Sequence, residues 1–231
     1  MFRTLAALCA TVALAVTSLV AQSPQNTPTA DERREGFVSL FDGTSTRGWH
    51  ALPLGNGQNM GRWMAKDGVL TYEPGDSWLA SDEQYANFVL RLEYRTGATN
   101  TDSGIFLRSA PTGYPSWTGM ELEIKGSDAG REPSLLTSMS LVGSAAPRKA
   151  AHRGPGEWNT VEVTLNERMF TVIVNGETIH DLDLDDPAYA VDKQHTPLAQ
   201  RVTSGFIGFQ NHLIVAPAEY RNIRVKVLKA E

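Results

Sequence analysis

The stretch Met120-Glu-Leu-Glu-Ile124 carries two carboxylates two residues apart. In an extended strand alternate residues share a face, so Glu121 and Glu123 stand together with Cα atoms about 6.5 Å apart. Met120, Leu122 and Ile124 then face the other way, toward a core. Like charges at that separation raise one of the two pKa values, which suits a general acid or base. The same oxygens also suit a divalent cation such as calcium or magnesium. A solvated polar face with no chemistry is the plainer reading of the pattern.

Phe206-Ile-Gly-Phe-Gln-Asn-His212 divides in the same way. Ile207 and Phe209 fall on one face; Gly208, Gln210 and His212 fall on the other, where the glycine opens space. Histidine titrates near neutral pH and serves as base, acid or metal ligand. Glu121, Glu123 and His212 are therefore the candidate ligands if a divalent metal is used, although nothing in the sequence requires a cofactor. In Ser103–Arg108, Ile105 and Leu107 alternate with Gly104, Phe106 and Arg108. This sets a fork of guanidinium donors on the face that carries Glu121. A simple ion pair between Arg108 and either glutamate is compatible with that role. Among the five tryptophans, Trp117 lies in a loop containing proline and glycine beside Glu121, and Trp78 is the second choice as a stacking platform. Core packing is the competing role for both. Trp158 opens a strand and reads as structural.

Other chemistries are missing. There is no glycine-rich nucleotide loop, histidine-pair zinc motif or serine-nucleophile elbow. The one cysteine, Cys9, sits in an apolar leader, so thiol catalysis is excluded from the mature chain. The net charge of −5, without a basic run, argues against nucleic acid as a partner.

The elements that must position these side chains are strands. Phe88, Leu90, Leu92 and Tyr94 alternate with Arg91, Glu93 and Arg95; Val161, Val163 and Leu165 alternate with Thr160, Glu162 and Thr164. Asn166-Glu167 and Asn175-Gly176 read as tight hairpin turns. Tyr220–Leu228 closes the chain with a further alternating run. No long helical stripe appears, and turn signals recur about every ten residues, the spacing of an all-β two-sheet sandwich. Ser109–Thr118 and Asp183–Thr203 read as long loops that could wall a site. At the N-terminus, Arg3 precedes an uncharged apolar run from Leu5 to Val20 and small residues at Ala21-Gln22-Ser23. Residues 1–21 therefore read as a signal peptide, with export to the periplasm or the medium and no membrane span after cleavage. Residues 22–35, polar and carrying Pro24 and Pro28, read as a flexible tether. The domain is expected over 36–231.

An ordered set of segments resembles the 3-keto-disaccharide hydrolase domain family, which has a concanavalin A-like jelly-roll fold. The set comprises Gly36-Phe-Val-Ser-Leu-Phe-Asp-Gly43 with Gly48-Trp49; Trp63 with Asp67-Gly-Val-Leu70; Tyr85-Ala-Asn-Phe88; Ser103–Arg108; Gly119–Ile124; Gly156-Glu-Trp-Asn159; Val174-Asn-Gly176; Gly205–His212; and Tyr220-Arg-Asn-Ile223. It departs from the family pattern at Glu123, where glutamine is usual, and near Val142, where a glycine-tyrosine-glycine-like run is usual. The resemblance implies a carbohydrate or glycoside substrate already oxidised at carbon 3. A base, Glu121 or His212, would remove the proton on carbon 2. The anomeric substituent would leave and water would add back, with Arg108, Gln210 or a metal stabilising the enolate. A non-catalytic lectin-like module and a conventional endo-glucanase remain open as alternatives on the same fold.

Overall fold

Period-two alternation builds nearly every element of the computed structural model, which describes residues 25–229 apart from 55–56, 190–195 and 213–214. In chain order these are helix α1 (Ala30–Glu35) and strands β1 (Val38–Ser39), β2 (Trp49–Pro53), β3 (Arg62–Lys66), β4 (Val69–Glu73), β5 (Ser77–Tyr85), β6 (Phe88–Thr96) and β7 (Asp102–Ser109). A one-turn helix α2 (Pro115–Thr118) follows. The remaining strands are β8 (Met120–Lys125), β9 (Asn159–Asn166), β10 (Met169–Val174), β11 (Glu177–Asp183), β12 (Gly205–Asn211) and β13 (Ala218–Val227).

The strands form two antiparallel sheets, a jelly-roll sandwich of the concanavalin A-like kind. Among the described residues one sheet runs β11-β10-β9-β6-β13-β4-β3 with β1 paired to β13, and the other runs β2-β5-β12-β7-β8. The expected inward sets of β6 and β9 are buried, and they meet Ile105, Leu107, Leu122, Ile124, Ile207 and Phe209 from the five-stranded sheet in one apolar core. Removing such side chains from water, at about 25 cal/mol per Å2, is the main force holding the two layers together. The Asn175-Gly176 hairpin has positive φ at both loop residues, as its sequence requires.

The segment expected to be a flexible tether is instead packed along its described length, 25–35. Asn26 and Asn222 exchange backbone N–H to side-chain oxygen bonds at 2.7 and 2.8 Å. Thr29 and Glu32 form a capping box that starts α1. Glu32 is buried, where it accepts from Arg224 at 2.7 Å and Arg91 at 3.2 Å. Charge density alone suggested solvent exposure; the partners lie on distant strands, 59 residues away for Arg91 and 192 for Arg224, and gave no local signal. Trp158 is half-buried, with the guanidinium groups of Arg95 and Arg221 lying over its ring at 4.8 and 3.9 Å from the centroid. The leader expected over residues 1–21 lies outside the described residues. No helix among the described residues is long and apolar enough to cross a membrane.

Candidate active site

The outer face of the five-stranded sheet collects the polar residues. In register, Gly104 pairs with Glu123, Phe106 with Glu121 and Asp102 with Lys125 across β7–β8. Gln210 pairs with Trp78 across β12–β5. Residues at paired positions share a face. Asp102, Glu121, Glu123, Lys125, Gln210 and Trp78 therefore all project to the same side, opposite the core.

Two glycines make room there. A Cβ on Gly104 would lie 2.1 Å from Glu121 Oε1, so the Glu121 side chain leans across β7 into the space that the glycine leaves. A Cβ on Gly208 would lie 2.6 Å from the Trp78 ring. Trp78 itself is 1% exposed, edge-on to Phe106 and packed with Leu54, Ala80 and Phe206. The expectation that it stacks on a sugar is thus corrected. It lies on the right face but forms the apolar floor beneath the site, because the loops carrying Leu54 and Tyr114 close over it.

Trp117 is 45% exposed at the mouth, its ring 5.3 Å from that of Tyr114. Helix α2 carries it. Buried Arg201 clamps this segment by donating to Ser116 O and Gly119 O at 3.2 and 2.9 Å. Ser116 in turn hydrogen-bonds Glu121.

Arg108 is a second correction. It has positive φ, which breaks the alternation and turns its side chain off the Glu121 face. The guanidinium donates to Ala86 O at 2.7 Å, Glu167 O at 2.8 Å and Asn87 Oδ1 at 3.2 Å. It joins the β5–β6 and β9–β10 turns, a structural role. Burial and the nearby Arg168 bring its pKa down to about 10.

The electrostatics concentrate on the glutamates. Glu121 is 4% exposed, and burial pushes its carboxyl well above the usual range, with Glu123 and Asp102 adding repulsion. Burial also pushes Glu123 up, to about 7, against the pull of Lys125, whose Nζ lies 3.5 Å from Glu123 Oε2. Burial pushes the Tyr114 phenol up to about 12, with help from Glu121 and opposition from a hydrogen bond with Gln210. Gln210 Oε1 and His212 Nδ1 are buried polar atoms without a hydrogen-bond partner, so each is an open place for a ligand group. His212 stands at the rim with Nδ1 3.9 Å from Asp102 Oδ2. No group of three or more His, Asp or Glu side chains among the described residues is arranged to hold a metal ion, so Glu121, Glu123 and His212 do not form one ligand set.

This site belongs to a fold with known relatives. Residues 36–226 match the 3-keto-alpha-glucoside-1,2-lyase-like domain. The chain belongs to this family. As a 3-keto-alpha-glucoside-1,2-lyase-like domain it is carbohydrate-active. A solved protein from Parabacteroides distasonis, described as a putative glycosyl hydrolase, is 21% identical with a TM-score of 0.75, over 89% of this chain and 100% of that one. A second protein of that description from the same organism is 22% identical with a TM-score of 0.64, over 78% and 100%. The carbohydrate-binding module CBM66 from Bacillus subtilis is 12% identical with a TM-score of 0.51, over 78% and 95%. At these identities the likeness is one of fold. No curated protein matches the chain.

Four residues of this candidate site are absent from the sequence reading. Asp102 and Lys125 continue the alternation of their strands by one step and were open to detection. Tyr114 and Ser116 come from a loop and a single helical turn, where no periodicity points inward.

Proposed function

We propose that this domain cleaves glycosides already oxidised at carbon 3, by elimination and rehydration. The observation that carries the reading is the pair of buried Glu121 and half-buried Glu123, both held above the ordinary carboxylate range on one polar sheet face. Two carboxyls whose environments separate their protonation are the natural acid and base of one site.

In this reading Glu123, partly ionised near neutrality, takes the proton from carbon 2, which the neighbouring ketone acidifies. The C–H electron pair becomes the enolate between carbons 2 and 3. The enolate re-forms the ketone, makes a double bond between carbons 1 and 2, and expels the anomeric oxygen. Glu121, protonated, gives its proton to that leaving oxygen. Water then adds across the double bond, hydroxyl to carbon 1 and proton to carbon 2, so the net outcome is hydrolysis. Gln210 accepts from a sugar hydroxyl at its open Oε1, and Trp117 stacks on the leaving group. His212, at the rim beside Asp102, is suited to guiding the water. This route forms no glycosyl-enzyme bond, unlike a retaining glycosidase. Export by way of residues 1–21 belongs to the same reading and is tested by following the protein into the periplasm or the medium.

The deciding experiment compares an aryl glucoside with its 3-keto counterpart, with and without a chelator, on the purified protein and its Glu121→Gln and Glu123→Gln variants. Release of the aryl alcohol from the keto compound alone, lost in the variants, is the expected result. Cleavage of the plain glucoside would identify a conventional glycosidase. Binding of either compound without release would identify a lectin-like module.

A further inference from the structure

We propose that Lys125 receives the negative charge of the enolate, donating from Nζ to the oxygen on carbon 3 of the substrate. The inference rests on the elimination reading above and assigns it a charge-stabilising residue. Elimination needs such a group, because an enolate forming in a buried site without a cation or donor would be strongly disfavoured.

Lys125 closes the run of side chains that begins with Glu121 and Glu123 on β8, and it stands opposite Asp102 on β7. Its side chain is 26% exposed, and the ammonium stands at the solvent-facing edge of the site. The strand is fixed at this residue. Lys125 N donates to Ser138 Oγ at 2.7 Å, Ser138 Oγ donates to Lys125 O at 2.8 Å, and Ser138 N is held by Asp128 at 3.0 Å. One Nζ hydrogen goes to Leu136 O at 3.1 Å. The approach to Glu123 Oε2, at 3.5 Å, is an ion pair too long for a good hydrogen bond. An ammonium has three donors, which leaves Lys125 with capacity toward the site.

The nearby arginines are committed elsewhere. Arg108 is turned away to three backbone and side-chain oxygens, and Arg201 donates to Thr196 O, Ser116 O, Gly119 O and Ser144 Oγ. The charged or titratable groups gathered around the site are Asp102, Glu121 and Glu123, with Tyr114 from the loop and His212 at the rim.

The chemistry matches this loose pairing. As Glu123 takes the proton from carbon 2 it becomes neutral, and the same unit of negative charge appears on the carbon 3 oxygen. Lys125 lies beside the place where the charge starts, so it can exchange one partner for the other without being left unpaired. The interaction with substrate is then stronger in the transition state than in the ground state, the condition for raising kcat.

The test measures aryl-alcohol release from the 3-keto-glucoside by wild type, K125M, K125R and K125A. It also measures exchange of the carbon 2 proton of a 3-keto-1,5-anhydro sugar in heavy water, followed by NMR, which isolates enolisation from departure of the aryl group. K125M is expected to lose about 100- to 1,000-fold in kcat and in exchange with KM little changed. K125R should recover part of the loss, and added ethylammonium should rescue K125A in a saturable way. Melting curves establish that each variant is folded. Wild-type rates in K125M, or a loss in folded K125A that ethylammonium does not restore, would overturn the inference alone. Absence of both release and exchange in the wild type would overturn the elimination reading, and this inference with it.

Discussion

Gly104 and Glu121 are diagonal neighbours on adjacent strands, and the carboxyl of Glu121 occupies the volume that any side chain on Gly104 would need. A Cβ there would stand 2.1 Å from Glu121 Oε1 and 2.9 Å from its Cγ. The φ of Gly104 is not in the left-handed region, so the requirement for glycine is one of contact rather than of backbone strain. Gly104→Ala should therefore displace the carboxyl while the strand survives. The expected outcome is a loss of about 100-fold in kcat with a stability cost of about 1–3 kcal/mol, checked by steady-state kinetics beside a denaturant melt. Unchanged kinetics would mean that the carboxyl of Glu121 has no fixed role.

The rate should depend on pH as a bell. Burial, with repulsion from Asp102, raises Glu123 to about 7 and Glu121 well above the ordinary carboxylate range, and the two titrate as a pair. With Glu123 as base, kcat/KM rises as the first proton leaves, in the region of pH 7. It falls again when Glu121 loses the proton that the leaving oxygen needs. Glu123→Gln should abolish the rising limb, whereas His212→Ala should leave both limbs in place. A profile whose rising limb persists in Glu123→Gln would transfer the role of base to another group.

Trp117 should act on binding more than on chemistry. It stands exposed at the mouth, its ring against that of Tyr114. Trp117→Ala should raise KM about 10-fold with kcat within a factor of about two, since stacking contributes equally to ground and transition states. Trp78→Phe, by contrast, should alter the melt rather than KM, because Trp78 is part of the buried floor.

The contrast between these tryptophans shows what a strand pattern conveys. Period-two alternation put Glu121, Glu123 and Gln210 on the polar faces of their strands, and the register brings them together with Trp78 on one face of the sheet. It does not reveal which loop folds back over that face, so the burial of Trp78 beneath the Leu54 and Tyr114 loops was not legible. Nor does alternation survive a residue with positive φ. Arg108 was expected beside Glu121 because the period was continued through the position where the backbone departs from it. Conversely, the period was stopped one residue early at Asp102 and at Lys125, both of which continue it. The sandwich was legible because its apolar stripes are long. The packing of residues 25–35 was not, because it depends on Asn222, Arg91 and Arg224 from distant strands.

Arg108 should matter for stability and not for turnover. Its three hydrogen bonds tie two turns together in a buried setting. Arg108→Met leaves those oxygens without a donor, at a cost of about 3 kcal/mol, which for a domain of this size lowers Tm by roughly 10 °C. The folded fraction should retain wild-type kcat and KM. A selective loss of kcat at full stability would return Arg108 to the site.

Stability itself should pass through a maximum on the acid side of neutrality, because two sets of carboxylates titrate in opposite senses. Burial raises Glu121 and Glu123 above the unfolded value of 4.5, so the folded state holds protons that the unfolded state releases. Their contribution is full below about pH 4.5 and is lost as pH rises through the folded values. Glu32 behaves the other way. Burial works against its ionised form, but the Thr29 backbone N–H, Arg224 and Arg91 prevail and hold its pKa below 4.5. Its contribution is present above pH 4.5 and is lost as pH falls through the lowered value. Glu121→Gln should accordingly be more stable than wild type at pH 8, with a higher Tm, and differ little from it at pH 4. Glu32→Gln should lower Tm at pH 7, with a deficit that shrinks toward pH 3 as the wild-type carboxyl takes up its own proton. Calorimetric melts of the three proteins from pH 3 to 9 check both slopes. Parallel curves for wild type and Glu121→Gln would mean that this carboxyl is ionised in the folded protein and cannot serve as the acid.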